Sequence, residues 1–531
     1  MGSSTSSPQG RQRNQHYILI DDHCGSFDKD EEDAVATTSQ PTKSAKVIQD
    51  HEDDVLANID DELKDFDFPF ENLILEGGGA QGNAYIGAIC EMERLGYLSK
   101  LRRFGGASIG AFTACCLAVG HGSEKFLSIL KGPQINDLLD ASLGGCSMVP
   151  NFLRHLGWHP GRAIYQFIGD AIAEKLDDPD ATFKDLYDKT GRELCVVVTN
   201  LSTMMEEYCH VKTTPNMPLR AAIRMSTSIP GVFFPVKRRY MDRTDLYIDG
   251  GVLCNYPVHC YDGWWLSMKP EDSFLRRMRP LEDGAKLLTK KERFGMFNDK
   301  TFGMIIYSDY DSHVLATNTD LEAPIAPIPD TILARAHEKM KKKRDRDMEQ
   351  HAKVTEAMTH FLSVLNVNNL DGNATISREE FSRVFKDTNE FTDEDIETLF
   401  GKGLTSDKIF ESLDVNKDEQ IDFHELMVLA EREGVGLQTQ HIGSGRQDIF
   451  KPADFITGIF TMLLLNVKRA FLEGCDIERT VLINTVYFKS FHFNPEQEDV
   501  DFLVEQGRRG FLQFLKYQAN KMSSDNQTCS S

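Results

Sequence analysis

The chain has 531 residues, 40% of them hydrophobic, and a formal net charge of −23. At roughly 150 residues per domain, that length holds two to four domains and at least one large core. The acidic balance argues against a nucleic-acid binder and is a difficulty for any contact with anionic lipid. Eleven scattered cysteines with no CxxC pair suit reduced thiols in a cytoplasmic compartment better than a disulfide framework.

The N-terminus lacks the apolar core of a signal peptide. Met1-Gly2-Ser3-Ser4-Thr5-Ser6 fits the pattern for a myristate on Gly2, and it equally fits a Ser-rich start that matches a loose pattern by chance. A single acyl chain binds membranes only marginally, so peripheral attachment would need a second signal. Residues 1–68 are polar and acidic and are expected to be disordered, with one short helix near Asp53 to Lys64.

Order is expected to begin at Phe70. Leu73-Ile74-Leu75-Glu76 reads as a buried strand, followed by a glycine loop and a helix from Asn83 to Leu95 that Gly96 stops. Phe104-Gly105-Gly106 ends a second strand, and Ile109 to Val119 continues as an apolar helix ended by Gly120. Leu194 to Thr199 has the β-branched run of a parallel strand, and Leu246-Tyr247-Ile248 and Phe302 to Tyr307 read as further strands. Strands alternating with helices indicate an α/β layered domain over 70–320. Prolines 324, 327 and 329 then mark a linker, and 321–349 ends in a basic segment. Residues 350–433 read as helix, acidic loop, helix, twice over. After a polar joint at 434–447 the α/β pattern returns over 450–520, with a helix from Ala453 to Leu472, a strand from Arg479 to Asn484 and a helix from Glu496 to Gln518. The apolar run Phe455 to Val467 is broken by Thr457, Gly458 and Asn466, and is too short for the roughly 20 residues that span a bilayer.

Three glycine motifs close three of these strands in order: Gly77-Gly78-Gly79-Ala80-Gln81-Gly82, Gly106-Ala107-Ser108-Ile109-Gly110 and Asp249-Gly250-Gly251. In a Gly-x-Ser-x-Gly turn the glycines permit the sharp strand-to-helix bend that lifts the serine Oγ clear of the backbone. Ser108 at a helix N-terminus is then a candidate nucleophile. Gly78 and Gly79 can aim their N–H groups at one point and hold a developing oxyanion. The histidines, His210 and His259 among them, stand in no triad context, so Asp249 is the candidate base of a dyad. An aspartate at its ordinary pKa of about 3.9 is a poor base for an alcohol, so burial and close geometry must compensate. A glycine loop alone also suits a dinucleotide, but no acidic ribose-binding residue follows about 20 residues on.

These motifs resemble the patatin-like phospholipase family, over about 71–310 and more weakly over 450–520. The resemblance implies a three-layer α/β/α hydrolase domain, with Ser108 as nucleophile, Asp249 as its partner and Gly77, Gly78, Gly79 and Gly82 as the oxyanion loop. Ala222 to Pro230, Phe234-Pro235 and Asn255-Tyr256-Pro257 are similar to the segments around the family's aspartate. Gln81 departs from the pattern, standing where the family has a basic residue. It can still donate a hydrogen bond but brings no positive charge to the oxyanion.

Asp414 to Glu425 fits a 12-residue EF-hand loop, with Asp414, Asn416, Asp418, Asp422 and Glu425 offering side-chain oxygens and Gln420 its carbonyl. Glu419 replaces the usual glycine at position six, which makes the turn less comfortable. A weaker loop, Asn369 to Glu380, offers Asn369, Asp371, Asn373, Thr375, Ser377 and Glu380. Calcium is therefore expected as a regulatory ion on an all-α pair appended to or inserted in the hydrolase. The basic run 339–346 reads as a solvated helix face or as a contact for anionic lipid headgroups.

The resulting expectation is a calcium-responsive serine acyl hydrolase that cleaves fatty acyl esters at a membrane surface. Phospholipid enters it through the resemblance alone. Two alternatives stand beside it: a calcium sensor or scaffold on a catalytically silent fold, and a soluble esterase or thioesterase.

Overall fold

The computed structural model describes residues 63, 66–130, 140, 148–240, 242–277, 284–287, 289–309, 319–368, 375–385, 391–432, 452–471 and 474–528. Gly2, the polar segment 1–62, Asn369, Asp371, Asn373 and the joint at 434–447 lie outside the described residues. The chain divides into two compact units, one formed by residues 1–331 with 449–531 and the other by 332–448. Both ends of the second unit therefore continue, along the chain, into the first.

The first unit is an α/β/α fold on a mixed sheet. Its strands are β1 (Asn72–Leu75), β2 (Arg103–Gly106), β4 (Glu193–Asn200), β5 (Met205–Cys209), β7 (Val236–Tyr240), β8 (Arg243–Asp249), β9 (Thr301–Tyr307) and β12 (Thr480–Asn484). They run in the order β12-β9-β1-β2-β4-β8-β7, with β5 also paired to β4. A short separate pair joins β3 (Gly157–His159) to β6 (Gly231–Phe233). The central strands are parallel, and β1, β4 and β9 are buried along their whole length, as strands covered on both faces must be. Beyond β4 the sheet turns antiparallel, so the strand that ends in Asp249 runs against its neighbour. A buried apolar run does not announce its direction, and the parallel pattern expected of Leu194 to Thr199 holds on one side only.

Register places the chemistry. Leu75 lies opposite Gly106, so the chains leaving β1 and β2 deliver Gly77 and Ser108 side by side. Gly106 lies opposite Val196, and Val198, two residues on, lies opposite Asp249. Ser108 and Asp249 thus reach the same level of the sheet by different routes.

Helix α1 (Ala84–Arg94) follows the glycine loop, and α2 (Ile109–Val119) follows Ser108. The apolar α2 is buried along nearly its whole length and ends at Gly120, whose φ of 103° only glycine adopts readily. The C-terminal helix, Gln497–Thr528, lies against α1 through two glycines that face the other helix's backbone. A Cβ on Gly87 would stand 1.7 Å from the Val504 carbonyl oxygen, and one on Gly507 would stand 1.7 Å from that of Ala84.

The second unit opens with one long helix, Ile332–Asn368, which contains the whole basic run. Phe361, Phe381, Phe391 and Phe410 form the centre of its separate core. A two-residue strand pair, β10 (Ile376–Ser377) and β11 (Gln420–Ile421), sets Ile376 opposite Ile421. No helix among the described residues is long and apolar enough to cross a membrane. Gly87→Ala is expected to force the two glycine-bearing helices apart at a cost of about 1–3 kcal/mol. A thermal unfolding measurement should show Tm lowered by several degrees.

Candidate active site

Ser108 is held in a backbone conformation that side chains avoid, with φ 51° and ψ −126°. Glycines on either side make this possible. A Cβ on Gly106 would meet the Gly110 backbone at 2.6 Å, and one on Gly110 would meet the Leu75 carbonyl oxygen at 2.4 Å. The bend costs energy and persists because surrounding bonds hold it. One of these is the Ser108 N–H, which donates to Ser226 Oγ at 2.9 Å, while the Ser226 hydroxyl donates to the Val197 carbonyl at 2.6 Å. Ser226 thereby ties the turn to β4.

The Ser108 hydroxyl donates to Asp249 Oδ2 at 2.7 Å. No histidine stands between them. His210 and His259 have partners of their own, Glu193 at 3.1 Å and the Tyr208 hydroxyl at 2.9 Å. Asp249 Oδ1 accepts from the Gly251 N–H at 2.7 Å, and the Asp249 N–H donates to the Ser228 carbonyl at 2.9 Å. Arg224 holds the Ser228 hydroxyl at 2.6 Å and the carbonyls of Gly161, Pro160 and Phe234. The segment singled out before the aspartate therefore acts as a brace under both members of the pair.

Asp249 is 1% exposed and Ser108 8%. Burial penalises the charged carboxylate and pushes its pKa up to about 7, against the pull of the bonds from Ser108 and Gly251. The base strength that the sequence left unaccounted for thus comes mainly from desolvation.

The glycine loop runs beside the serine. A Cβ on Gly77 would stand 3.0 Å from that of Ser108. The Gly77 N–H is committed to the Asn255 carbonyl at 3.1 Å, so the role of Gly77 is close approach. Gly79 has φ 53° and opens a short 3-10 turn, Gly79–Asn83, ahead of α1. The N–H groups of Gly78 and Gly79 donate to no acceptor among the described residues, whereas Ala80 N–H donates to the Ser490 carbonyl at 2.9 Å. Gly82 packs on Ile109, where a Cβ would come within 2.6 Å of the side chain.

Gln81 does not serve the oxyanion. Its amide donates to Thr485 Oγ1 at 2.7 Å and to the Phe488 carbonyl at 2.9 Å, and its oxygen accepts from Ser490 at 2.7 Å. The expectation of a hydrogen bond from Gln81 toward the reacting oxygen is corrected: every strong donor of this buried side chain is spent on holding the loop to residues 485–490.

Beside the pair lies an apolar cluster. Ile229 and Phe233 are buried, and Ile164, Val252, Leu464 and Phe491 pack on them. Leu464, from the helix Pro452–Phe471, would meet a Cβ on Gly251 at 3.3 Å, next to the Asp249 carboxylate. The same helix carries Lys468, which is 6% exposed and bonded to Glu76 at 3.0 Å. Lys468 was not singled out from the sequence, Glu76 was read only as the end of a strand, and Ser226 only as part of the segment Ala222 to Pro230. A lone lysine at the end of an apolar helix was the one available signal.

In the second unit the loop Asp414–Glu425 folds its oxygens onto its own backbone. Asp414 accepts from the N–H groups of Asp418 (3.2 Å) and Glu419 (3.1 Å), and Asp418 from Gln420 at 3.0 Å. Glu425 accepts from Val415 at 2.8 Å and from Asp422 at 3.0 Å. The Asn416 oxygen accepts from Asp418 N–H at 2.9 Å. Lys417 and Glu419 both take φ 60°, so the turn that glycine would ease is made by residues that pay for it. The donor set is hard oxygen, which suits calcium. In this arrangement, no three His, Cys, Asp or Glu side chains among the described residues gather in metal-holding geometry. In the other loop, Glu380 closes a capping box with Ser377, whose N–H and hydroxyl donate to it at 3.0 and 2.7 Å. Thr375 donates to the Gln420 side chain.

A strained serine on a strand-to-helix turn, bonded to a buried carboxylate and flanked by unspent backbone donors, defines an acyl-hydrolase type of site on an α/β/α fold. Residues 73–260 match the family described as patatin-like phospholipase, so the chain carries a patatin-like phospholipase domain. It is 28% identical over 191 residues to the probable lipid hydrolase 463L of Invertebrate iridescent virus 6, covering 36% of this chain and 62% of that protein. It is 26% identical over 287 residues to the uncharacterized protein YqhO of Bacillus subtilis, covering 51% of this chain and 91% of that one. Triacylglycerol lipase 4 of Saccharomyces cerevisiae is 27% identical over 173 residues, which are 30% of this chain and 18% of the lipase. The chain thus spans less than two thirds of the viral relative's length. Among solved structures, VipD from Legionella pneumophila aligns with 84% of this chain and 67% of its own at 17% identity, with a TM-score of 0.37, too slight a likeness to carry argument.

Because the folded-state pKa of Asp249 is raised, the folded chain holds a proton that the unfolded chain releases at about pH 4. Stability on this group's account is therefore lost as pH rises toward about 7. Asp249→Asn keeps both hydrogen bonds possible and removes the buried charge. At pH 8 its Tm should exceed that of the unsubstituted protein in a calorimetric scan, and an equal or lower value would contradict the assignment.

Proposed function

We propose that the chain is a serine lipid acyl hydrolase working through a Ser108–Asp249 dyad, with calcium binding in the second unit as its regulatory input. The observation that carries the reading is the 2.7 Å bond from Ser108 Oγ to a carboxylate that burial has made basic. Asp249 accepts the Ser108 proton as Oγ attacks the carbonyl carbon of a fatty acyl ester. The N–H groups of Gly78 and Gly79 receive the oxyanion of the tetrahedral intermediate. Collapse releases the alcohol, which takes the proton from Asp249. Water, deprotonated by Asp249 in turn, then attacks the acyl-serine and frees the fatty acid. The apolar cluster of Phe233, Leu464 and Phe491 beside the dyad suits an acyl chain. The printed names of the viral and yeast relatives, a probable lipid hydrolase and a triacylglycerol lipase, agree with a lipid substrate.

For calcium, the supporting observations are the oxygen-rich loop Asp414–Glu425 and the pairing of Ile376 with Ile421, one residue from each candidate loop. Asp414, Asn416, Asp418, Gln420, Asp422 and Glu425 would hold the ion. Thr375, Ser377 and Glu380 would serve a weaker site only if Glu380 left its capping box. A bound ion supplies a local positive charge that draws these oxygens inward, and sensor pairs of this kind convert that into a change of helix angle.

Two measurements test this. Fatty-acid release from mixed phospholipid vesicles should vanish in Ser108→Ala and vary across a free-calcium series. Equal release from both proteins would shift the reading to a sensor on a silent fold. Glu425→Gln removes one charge and the bidentate ligand, so calorimetric titration should show calcium affinity reduced by about tenfold or more.

A further inference from the structure

Glu76 follows β1 directly, just before the glycine loop, and is 1% exposed. A carboxylate in such a place must be paired, because an isolated buried charge is far costlier than a buried ion pair. Its partner comes from the far end of the chain. Lys468 Nζ lies 3.0 Å from Glu76 Oε1 and donates to the Ile306 carbonyl at 3.2 Å. Glu76 Oε2 accepts from the N–H of the same Ile306 at 3.0 Å. The pair therefore grips β9 at one residue and has little freedom to move.

Its route to the site is short. Asn255 Nδ2 donates to Glu76 Oε1 at 3.2 Å and to the Gly77 carbonyl at 2.8 Å, while the Asn255 carbonyl accepts from Gly77 N–H. Gly77 is thus fixed at both ends by a residue that also reads the charge state of Glu76. Gly78, one residue on, is packed against the Ile306 side chain, where a Cβ would come within 3.2 Å. Gln81, the loop's own polar side chain, brings no charge and is spent elsewhere.

Resting on the acyl-hydrolase reading, we propose that Lys468 is a positioning residue whose buried ammonium neutralises Glu76, sparing the Gly78–Gly79 donors a negative field set against the forming oxyanion. Glu76 without the Lys468 ammonium would oppose the charge that grows in the transition state and would leave ground-state ester binding nearly untouched. The effect therefore falls on kcat. In a water-poor site such a field is weakly screened.

The test compares full-length wild-type protein, Lys468→Met, Glu76→Gln and the double variant in steady-state hydrolysis of a dispersed lipid ester, with Tm recorded for each. Lys468→Met should lower kcat about tenfold or more with KM within about twofold, and the double variant should recover most of the loss. A lysine that merely packs would leave the double variant at least as impaired as the single one, and that result, or an unchanged kcat in folded Lys468→Met, overturns the inference. If Lys468→Met does not fold, the double variant is read against Glu76→Gln. The inference requires kcat values within about threefold there, and a tenfold gap overturns it. A wild-type protein that releases no fatty acid is a separate result, which removes the hydrolase reading and this inference with it.

Discussion

The site depends on keeping one carboxylate out of water. Asp249 hydrated would have the basicity of any aspartate and would be a poor acceptor for the Ser108 proton as Oγ attacks. Buried at the end of β8, it is brought near neutrality by desolvation, with two hydrogen bonds that orient it without cancelling the effect. The cost is a charge that the fold tolerates poorly, carried by a strained turn. Both are held by bonds from the braces Ser226, Ser228 and Arg224.

Elsewhere in the interior several buried charges are paired with a charge of opposite sign. Arg479 bonds Asp262 and Asp476 at 2.6 Å each, and Glu193 takes His210 and Arg103. Glu76 and Lys468 follow this pattern, yet they sit where the consequence is chemical as well as structural. Asp249 is buried with no cation against its charged form, only a hydroxyl and an N–H, and it shares this with Asp499, which accepts from the Thr331 and Tyr487 hydroxyls and the Glu496 N–H.

Much of this was legible in the residues, and the reasons differ. The strand at Leu73–Leu75, the helix ending at Gly120 and the serine turn are local features, written in apolar runs and glycines whose backbone demands are specific. The meeting of Ser108 with Asp249 was inferred from motif order, but its cause is register across β2, β4 and β8, and the antiparallel direction of β8 left no trace in its composition. Gln81 looked like a weakened oxyanion donor because a side chain's direction cannot be read from its neighbours in sequence. Lys468 was invisible for a related reason: its partner Glu76 lies at the other end of the chain, and only the pairing of β12, β9 and β1 brings the two segments together. In the second unit, Glu419 was seen to be an uncomfortable residue at its turn, and it takes the left-handed conformation nonetheless.

The central claim is that burial makes Asp249 the base for Ser108. It is tested most directly by the pH dependence of covalent labelling with a fluorophosphonate acyl-hydrolase probe, the modified residue being located by mass spectrometry. The account predicts label on Ser108, a rate that rises with pH to a plateau with a midpoint near about 7, and no such rise in Asp249→Asn. Label elsewhere, or a rate on Ser108 that is indifferent to Asp249→Asn, would contradict it.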